Sequence, residues 1–600
     1  MELQFNFGSQ TIAKPEPKDM TLFASVDGVA LPLSSEELVF LQADTGMNHI
    51  MTLQVLQAMS MTQVFKPMHE HIQQIAQSIP ELKGQQLAIE KVLGFMKNKG
   101  LLKSADDWLS ELKQGDSSNS GVKYAGMVVR TCDRPEHLSR LLESLEQYQS
   151  AQGSKHEVLV FDDSNDPKLA QESEQYCNQS KLKVTYHGAA WQKQFVAMLE
   201  KEFQNDTKEI NWLLSAQEGF TGGRVWNLAL LTLAGKKFTF FDDDFLMQPR
   251  QTESAQLKQI DLLSQGELGV DFGLNVREIK KASEEYSEDL LSDMVDACGA
   301  TFGSWLSNKQ GMQTSPLYGL RLRDLLKLNP KTKIKTTCNG TWGSPRAESN
   351  YWLYQLKGEQ REAFWKDRET YLDNIEASHL LHYAPRFQAM TFALFAPSTI
   401  DNSDMTPFSM PLNKNEDHFF NAMMSACYPD QVSLHYPIML GHLQTSKRDR
   451  SSFNHIAQRP NFNRFVADYA LSVASRFLSK DPASRLLSLA SVFDDLRTAD
   501  DQMLEMRLRE YMSKVRSDLV NNLQQISEEV PDAPIYWQAD VRELLQANGQ
   551  AVRENEVPIL RDWPAGMDME ACLAKARYDL KEIADAMRVW PDLWQFCRSQ

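Results

Sequence analysis

Asp242, Asp243 and Asp244 stand directly after the apolar run KKFTFF (236–241), which places three acids at the end of a strand. Side chains two apart in extended backbone share a face, so the carboxylates of Asp242 and Asp244 can converge on one hard cation. Magnesium or manganese there would bridge a diphosphate and offset the charge on a leaving nucleotide. Taken alone, an acidic triplet reads first as a solvated turn, and its companions must decide.

Two further acidic pairs occupy element ends. Asp162 and Asp163 follow EVLVF (157–161). Glu416 and Asp417 open the amphipathic run NEDHFFNAMM (415–424), where the N-terminal dipole of a helix favours a carboxylate. Acids also decorate helix starts without a chemical role, which is the plain alternative for this pair. Thr131 and Arg134 lie in the turn TCDRPEH (131–137), and Arg224 and Asn227 lie in GGRVWNLAL (222–230), shortly before the triplet. His442 ends an apolar run and is either a third ligand for the same cation or a structural histidine.

Alternating strands and helices are needed to position these groups. YAGMVVRT (124–131), EVLVF (157–161), KVTYH (183–187) and KKFTFF (236–241) read as strands. HLSRLLESLEQY (137–148) and the glycine-led GGRVWNLALLTLAG (222–235) read as helices, with Pro135 near the start of the first. The acids collect at the C-terminal ends of the strands, where open α/β sheets bind ligands. The fold class expected for 121–450 is therefore α/β. A mainly helical region (1–120) precedes it, joined by the polar stretch KQGDSSNSG (113–121), and a helical region (451–600) follows.

Composition narrows the function. With 42% hydrophobic and 24% charged residues the chain is expected to fold, and 600 residues exceed one core. A formal charge of −17 argues against nucleic acid as a partner, so an anionic ligand must be met by a local device. Seven scattered cysteines without a CxxC pair suit a reducing compartment. No secretory signal and no apolar run of membrane-spanning length is present, so a cytoplasmic location is expected, with contact to a membrane surface left open.

Five motifs in order carry a resemblance: VVRTCDRPEH, VFDDSND, GGRVWNLAL, the acidic triplet and NEDHFFNAMM. Over about 122–445 the chain resembles the nucleotide-sugar glycosyltransferases of the GT-A fold, specifically the inverting family 2. The resemblance implies a Rossmann-like mixed-sheet domain that transfers a hexosyl or N-acetylhexosaminyl group from a nucleotide-sugar, uridine-linked in preference. The cofactor would be Mn²⁺ or Mg²⁺, and the acceptor a glycan, lipid-linked glycan or peptide. Thr131 and Arg134 would lie along the nucleotide, Asp163 would accept the uracil imide proton with Asp162 beside it, and Arg224, with Asn227 in the same motif, would hold diphosphate or ribose. Asp242 would lie nearer the ribose and, with Asp244, be a metal ligand, Asp243 would belong to the cofactor-binding set, and Asp417 would be the general base beside Glu416. One departure stands out: a long interval separates Asp244 from Glu416.

LSSEELVFLQADTG (33–46), HEHIQQIA (69–76) and IEKVLGFMKNKGLL (89–102) resemble the small winged-helix domain that binds leader peptides, which would make the acceptor a peptide; a plain helical accessory domain is the alternative. The rings of TWGSPRAESNYWLYQL (341–356) are read as core. An aspartate-nucleophile phosphatase is disfavoured because Leu246 stands where that chemistry has Thr or Val. A non-catalytic scaffold of the same fold and a nucleotidyltransferase remain as alternatives.

Overall fold

Three short strands run antiparallel near the start of the described chain: Gly28–Pro32, Glu37–Gln42 and Asn48–Thr52, with Val29 opposite Leu41 and Val39 opposite Ile50. The computed structural model describes residues 19–115, 121–217, 219–263, 268–325, 327–347, 349–391, 397–445 and 456–600. It divides into one unit of Met1–Gln114 with Thr314–Pro330 and a second of Gly115–Gln313 with Lys331–Gln600.

In the first unit, a second small sheet joins Leu22–Ser25 to Lys66–Pro67 and Leu102–Ser104. The helix Gln86–Asn98 buries Ile89, Leu93 and Met96, a spacing of one face. Among the described residues before 115, six short strands accompany the helices, and the sequence singled out none of them. The reason is visible in Leu38-Val39-Phe40-Leu41. Phe40 is buried while Leu41 is exposed, so apolar residues on both faces hide the period of two.

The second unit is built on a large mixed sheet. Its strands relevant to the site are β1 (Tyr124–Thr131), β2 (Val158–Asp162), β3 (Val184–His187), β4 (Lys236–Asp242), β5 (Phe245–Gln251), β6 (Ile334–Gly343), β7 (Ser398–Asn402) and β8 (Val432–His442). β4, β1, β2 and β3 run parallel in that order. β7 joins β4 to β6 antiparallel, and β6 pairs parallel with β8. Near-continuous apolar runs such as Met127–Val129 and Val158–Phe161 are what a strand covered on both faces requires.

The covering helices include α1 (Pro135–Gln152), α2 (Gly222–Thr232) and α3 (Glu416–Cys427). Trp226 of α2 stacks on Phe240 of β4 at 4.2 Å between centroids and meets Phe420 of α3 at 4.8 Å, so three elements that end at the site share one aromatic contact. The described chain after 456 is largely helical, with α4 (Phe462–Ala474), α5 (Asp501–Glu529) and α6 (Met569–Ser599). These helices share the core of the sheet and belong to its compact unit. Trp590 and Trp594 of α6 are buried, and their ring N–H groups donate to the carbonyl of Thr406 (2.7 Å) and to Oδ1 of Asn402 (2.9 Å). No described helix is long and apolar enough to cross a membrane.

Candidate functional site

A cavity of about 1150 Å³ opens where β1, β2 and β4 end, and side chains from α3, the turn after β6 and the segment before α4 complete its walls. The first two turns are locked together. Asp133 has φ +53°, a left-handed conformation that its short polar side chain tolerates. Its carboxylate accepts from the backbone N–H groups of Asn165 and Asp166 at 3.0 Å, and its own N–H donates to Ser164 Oγ at 2.8 Å. Pro135 then starts α1, where a missing N–H costs nothing.

The acidic triplet is split by the structure. β4 ends at Asp242, and Asp243 and Asp244 form the turn into β5, so the shared face expected of an extended run is absent. Asp242 is held by Arg130, whose Nε and Nη2 both stand 2.7 Å from its Oδ1. Nη1 of the same guanidinium reaches Oε1 of Glu416 at 3.1 Å. Burial disfavours the Arg130 charge, but the two carboxylates outweigh it and hold the group above the usual arginine range. Burial and neighbouring Asp417 push Glu416 up to about 7 against the pull of Arg130. Gly222 makes room for this link: a Cβ there would stand 2.3 Å from Arg130 Nη1.

Asp243 accepts from Thr131 Oγ1 at 2.9 Å and pairs with Arg134 at 3.3 Å. It is buried, and desolvation with the adjacent Asp244 pushes it up to about 7. Asp244 faces His442. The antiparallel register sets Phe245 opposite His442, and the Leu443 N–H donates to the Asp244 carbonyl at 2.8 Å. Nε2 of His442 is 3.5 Å from Asp244 Oδ2, and its Nδ1 is 2.6 Å from the Ser344 carbonyl. Burial raises the Asp244 pKa, but the His442 charge and hydrogen bond, with Arg134, outweigh it and hold the carboxyl below its usual range. Gly343 has φ +113°, and a Cβ there would lie 2.5 Å from the His442 carbonyl, so only glycine lets the Ser344 backbone approach the imidazole.

The residues expected around a nucleotide divide in two. Thr131, Arg134, Asp163, Asp242 and Asp243 line the cavity; Asp162, Arg224 and Asn227 are not among its lining. Asp162 is buried and accepts from Tyr186 Oη (2.7 Å) and the Ser164 N–H (2.8 Å). Arg224 is 3% exposed; it ion-pairs with Asp163 and donates to the Leu214 carbonyl and Gln192 Oε1, each at 2.9 Å. Its place is behind Asp163, whose other oxygen accepts from Thr221 Oγ1. Asn227 is fully buried and bonds the backbone of Ser409 in both directions, at 2.9 and 2.8 Å, as a brace between α2 and the chain before α3.

Glu416 and Asp417 do open a helix. Asn413 and Asn415, both left-handed at φ +64° and +66°, turn the chain into α3, and Asp417 lines the cavity with Oδ1 accepting from the His418 N–H at 2.7 Å. His418 Nε2 is 3.0 Å from Asp468 on α4, which also accepts from Tyr511 Oη at 2.8 Å. In the ring-rich segment Trp342, Tyr351 and Tyr354 are core, and Tyr351 with the half-buried Trp352 also lines the cavity.

Five arginines of the cavity lining, Arg130, Arg346, Arg459, Arg464 and Arg561, are not among the site residues expected from sequence. A signal for Arg130 exists, because a charge inside the buried strand YAGMVVRT must be paired. Arg346, in the turn after β6, had none; burial lowers its pKa while Asp417 and Asp242 oppose that.

Asp244 and His442 suit a divalent cation. The Ser344 carbonyl would take the Nδ1 proton, so that in the neutral imidazole Nε2 would direct its lone pair towards the Asp244 carboxylate. Among the described residues no group of three or more His, Cys, Asp or Glu side chains is placed to hold a metal ion.

Comparison of the chain with protein-family models and with curated proteins finds no match.

Proposed function

We propose that the cavity binds a nucleotide-sugar and transfers its sugar to an acceptor hydroxyl with inversion. The observation that carries this reading is the convergence of Thr131 and Arg134, Asp163, the acidic triplet, and Glu416 with Asp417 on one cavity at the sheet's C-terminal edge. Asp244 and His442 would hold Mn²⁺ or Mg²⁺, which when bound supplies positive charge to the diphosphate leaving group. Arg134, half exposed and shared between Asp243 and Asp244, can turn from them to a phosphate oxygen. Asp163, braced by Arg224 and Thr221, offers a carboxylate to a nucleobase N–H. Asp417 takes the proton of the acceptor hydroxyl as its oxygen bonds to the anomeric carbon and the bond to the diphosphate breaks. Arg130 keeps Asp242 and Glu416 in register, tying the donor turn to the helix that bears the base.

Mass spectrometry after incubation with a panel of uridine-, guanosine- and thymidine-linked sugars, with hydrolysis of the donor as the minimal reaction, tests the class. Binding of uridine diphosphate and slow donor hydrolysis are expected. A protein that binds none of the panel by calorimetry in Mn²⁺ would refute the reading.

A further inference from the structure

The cavity wall contributed after residue 456 contains Arg459, Arg464 and Arg561 and no acidic residue among those described. In a chain of net charge −17, three arginines on one wall run against the overall balance. The acidic neighbours of Arg459 and Arg464 are already engaged. Glu556 is 3.8 Å from Arg459 but 3.1 Å from the buried Arg516. Asp468 is 3.7 Å from Arg464 while accepting from His418 and Tyr511 at 3.0 and 2.8 Å. Nε of Arg464 is buried and donates no hydrogen bond among the described residues. The backbone around these side chains is fixed: the Arg561 N–H donates to the Pro460 carbonyl at 3.1 Å, and Arg516 Nε donates to the Gln458 carbonyl at 3.2 Å.

This wall abuts the proposed base. Nδ2 of Asn463 donates to the Lys414 carbonyl at 3.0 Å, three residues before Asp417, and Asp468 links Arg464 to His418, the residue after it. The Asp244 and His442 pair that would meet the donor diphosphate lies in the turns at the end of β4 and β8. Guanidinium groups bind phosphate through parallel N–H donors, and several converging ones recognise a doubly charged group better than a single carboxylate.

We infer that Arg459, Arg464 and Arg561 form a phosphate seat on the acceptor side of the cavity, so that the acceptor is a phosphorylated sugar or a similar phosphate monoester. The inference rests on the proposed glycosyl transfer for the word acceptor, although the seat itself is independent of it. The donor diphosphate is the rival source of the same phosphate chemistry.

Calorimetric titration of the full-length protein with glucose 6-phosphate and with glucose, each with and without uridine diphosphate and Mn²⁺, separates the sources. Glucose 6-phosphate should bind at least about tenfold more tightly than glucose, and the preference should persist when uridine diphosphate is present. Arg464→Gln and Arg459→Gln should each weaken glucose 6-phosphate by about tenfold while uridine diphosphate affinity stays within about twofold. Equal binding of glucose and its phosphate by the parent protein, a comparison that needs no variant, overturns the seat. Loss of uridine diphosphate affinity in the arginine variants, or displacement of glucose 6-phosphate by uridine diphosphate, assigns the wall to the donor and overturns the acceptor. Retained glucose 6-phosphate binding with no nucleotide binding would instead sink the glycosyl-transfer reading and leave the seat standing.

Discussion

Nε2 of His442 stands 3.5 Å from Oδ2 of Asp244, although the two residues lie 198 positions apart in sequence and only the β5–β8 register brings them together. With Nδ1 committed to the Ser344 carbonyl, the imidazole can meet the carboxylate only by carrying a second proton or by sharing a cation. Asp244→Asn and His442→Gln should therefore each lower Mn²⁺-dependent affinity for uridine diphosphate by roughly tenfold or more, and neither should alter the residual affinity in EDTA. Calorimetry in both buffers checks this; equal affinity with and without metal in the parent protein would remove the cation from the site.

Arg130 forms a buried pair with Glu416 while also holding the partly exposed Asp242, and its removal leaves Glu416 buried without this partner. Breaking such a pair costs about 3–5 kcal/mol, whereas a replacement that stays neutral and hydrogen-bonding costs less. Arg130→Met should lower the urea midpoint accordingly. Glu416→Gln should cost clearly less, because burial already pushes Glu416 up to about 7 and an amide still accepts from the guanidinium. Urea unfolding of both variants checks the order, and equal losses would mean that the Arg130–Glu416 contact is incidental.

What was legible in the sequence follows from what each signal depends on. The strand ends at Thr131, Asp162 and Asp242 and the helix starts at Gly222 and Glu416 could be read because apolar runs change period where the polar turns begin. The partition of the acids could not. Asp242 and Asp244 look equivalent in DDD, yet one faces Arg130 and the other His442, since the chain turns between them and each meets a different distant strand or helix. Arg224 and Asn227 likewise sit beside the site in sequence, but the face of α2 that carries them is buried, so they brace Asp163 and the Ser409 backbone. The arginines after 456 were out of reach because no local pattern tells that α4 and its approach return to the sheet edge.

His187 ends β3 packed between Phe161 and Trp191, at 4.6 and 4.0 Å between centroids, and neither ring nitrogen has a hydrogen-bond partner among the described residues. Desolvation lowers its pKa to about 4. A histidine depressed in the folded state binds fewer protons than in the unfolded chain, so its contribution is intact above about 6.5 and is lost as pH falls towards 4. The difference in unfolding free energy between the parent and His187→Phe should change by on the order of 2–3 kcal/mol across that window and be flat above it. Taking the difference cancels other groups such as Glu416, whose raised pKa acts with the opposite sign. A difference that does not vary with pH would show that the imidazole is hydrated or protonated in the fold.

Asp417 is the residue on which the proposed chemistry turns. It lies in the first turn of α3, lines the cavity, and has one carboxylate oxygen held by the His418 N–H while the side chain faces the wall that carries Arg346. Asp417→Asn keeps size and that hydrogen bond but cannot take a proton, so turnover should fall by roughly 10²–10⁴. Uridine diphosphate affinity should stay near the parental value, because the donor contacts proposed above come from other turns. Glu416→Gln should cost less in turnover, its contact being with Arg130 and not with an acceptor. A single displacement also requires the product to have the anomeric configuration opposite to the donor, which proton coupling constants report directly. Saturating-donor turnover of Asp417→Asn and the product's anomeric coupling together decide the assignment. Near-parental turnover would move the base elsewhere, Glu416 being the nearest ionisable neighbour, and a retained configuration would replace the single displacement by a two-step route in which a cavity carboxylate first bonds the sugar.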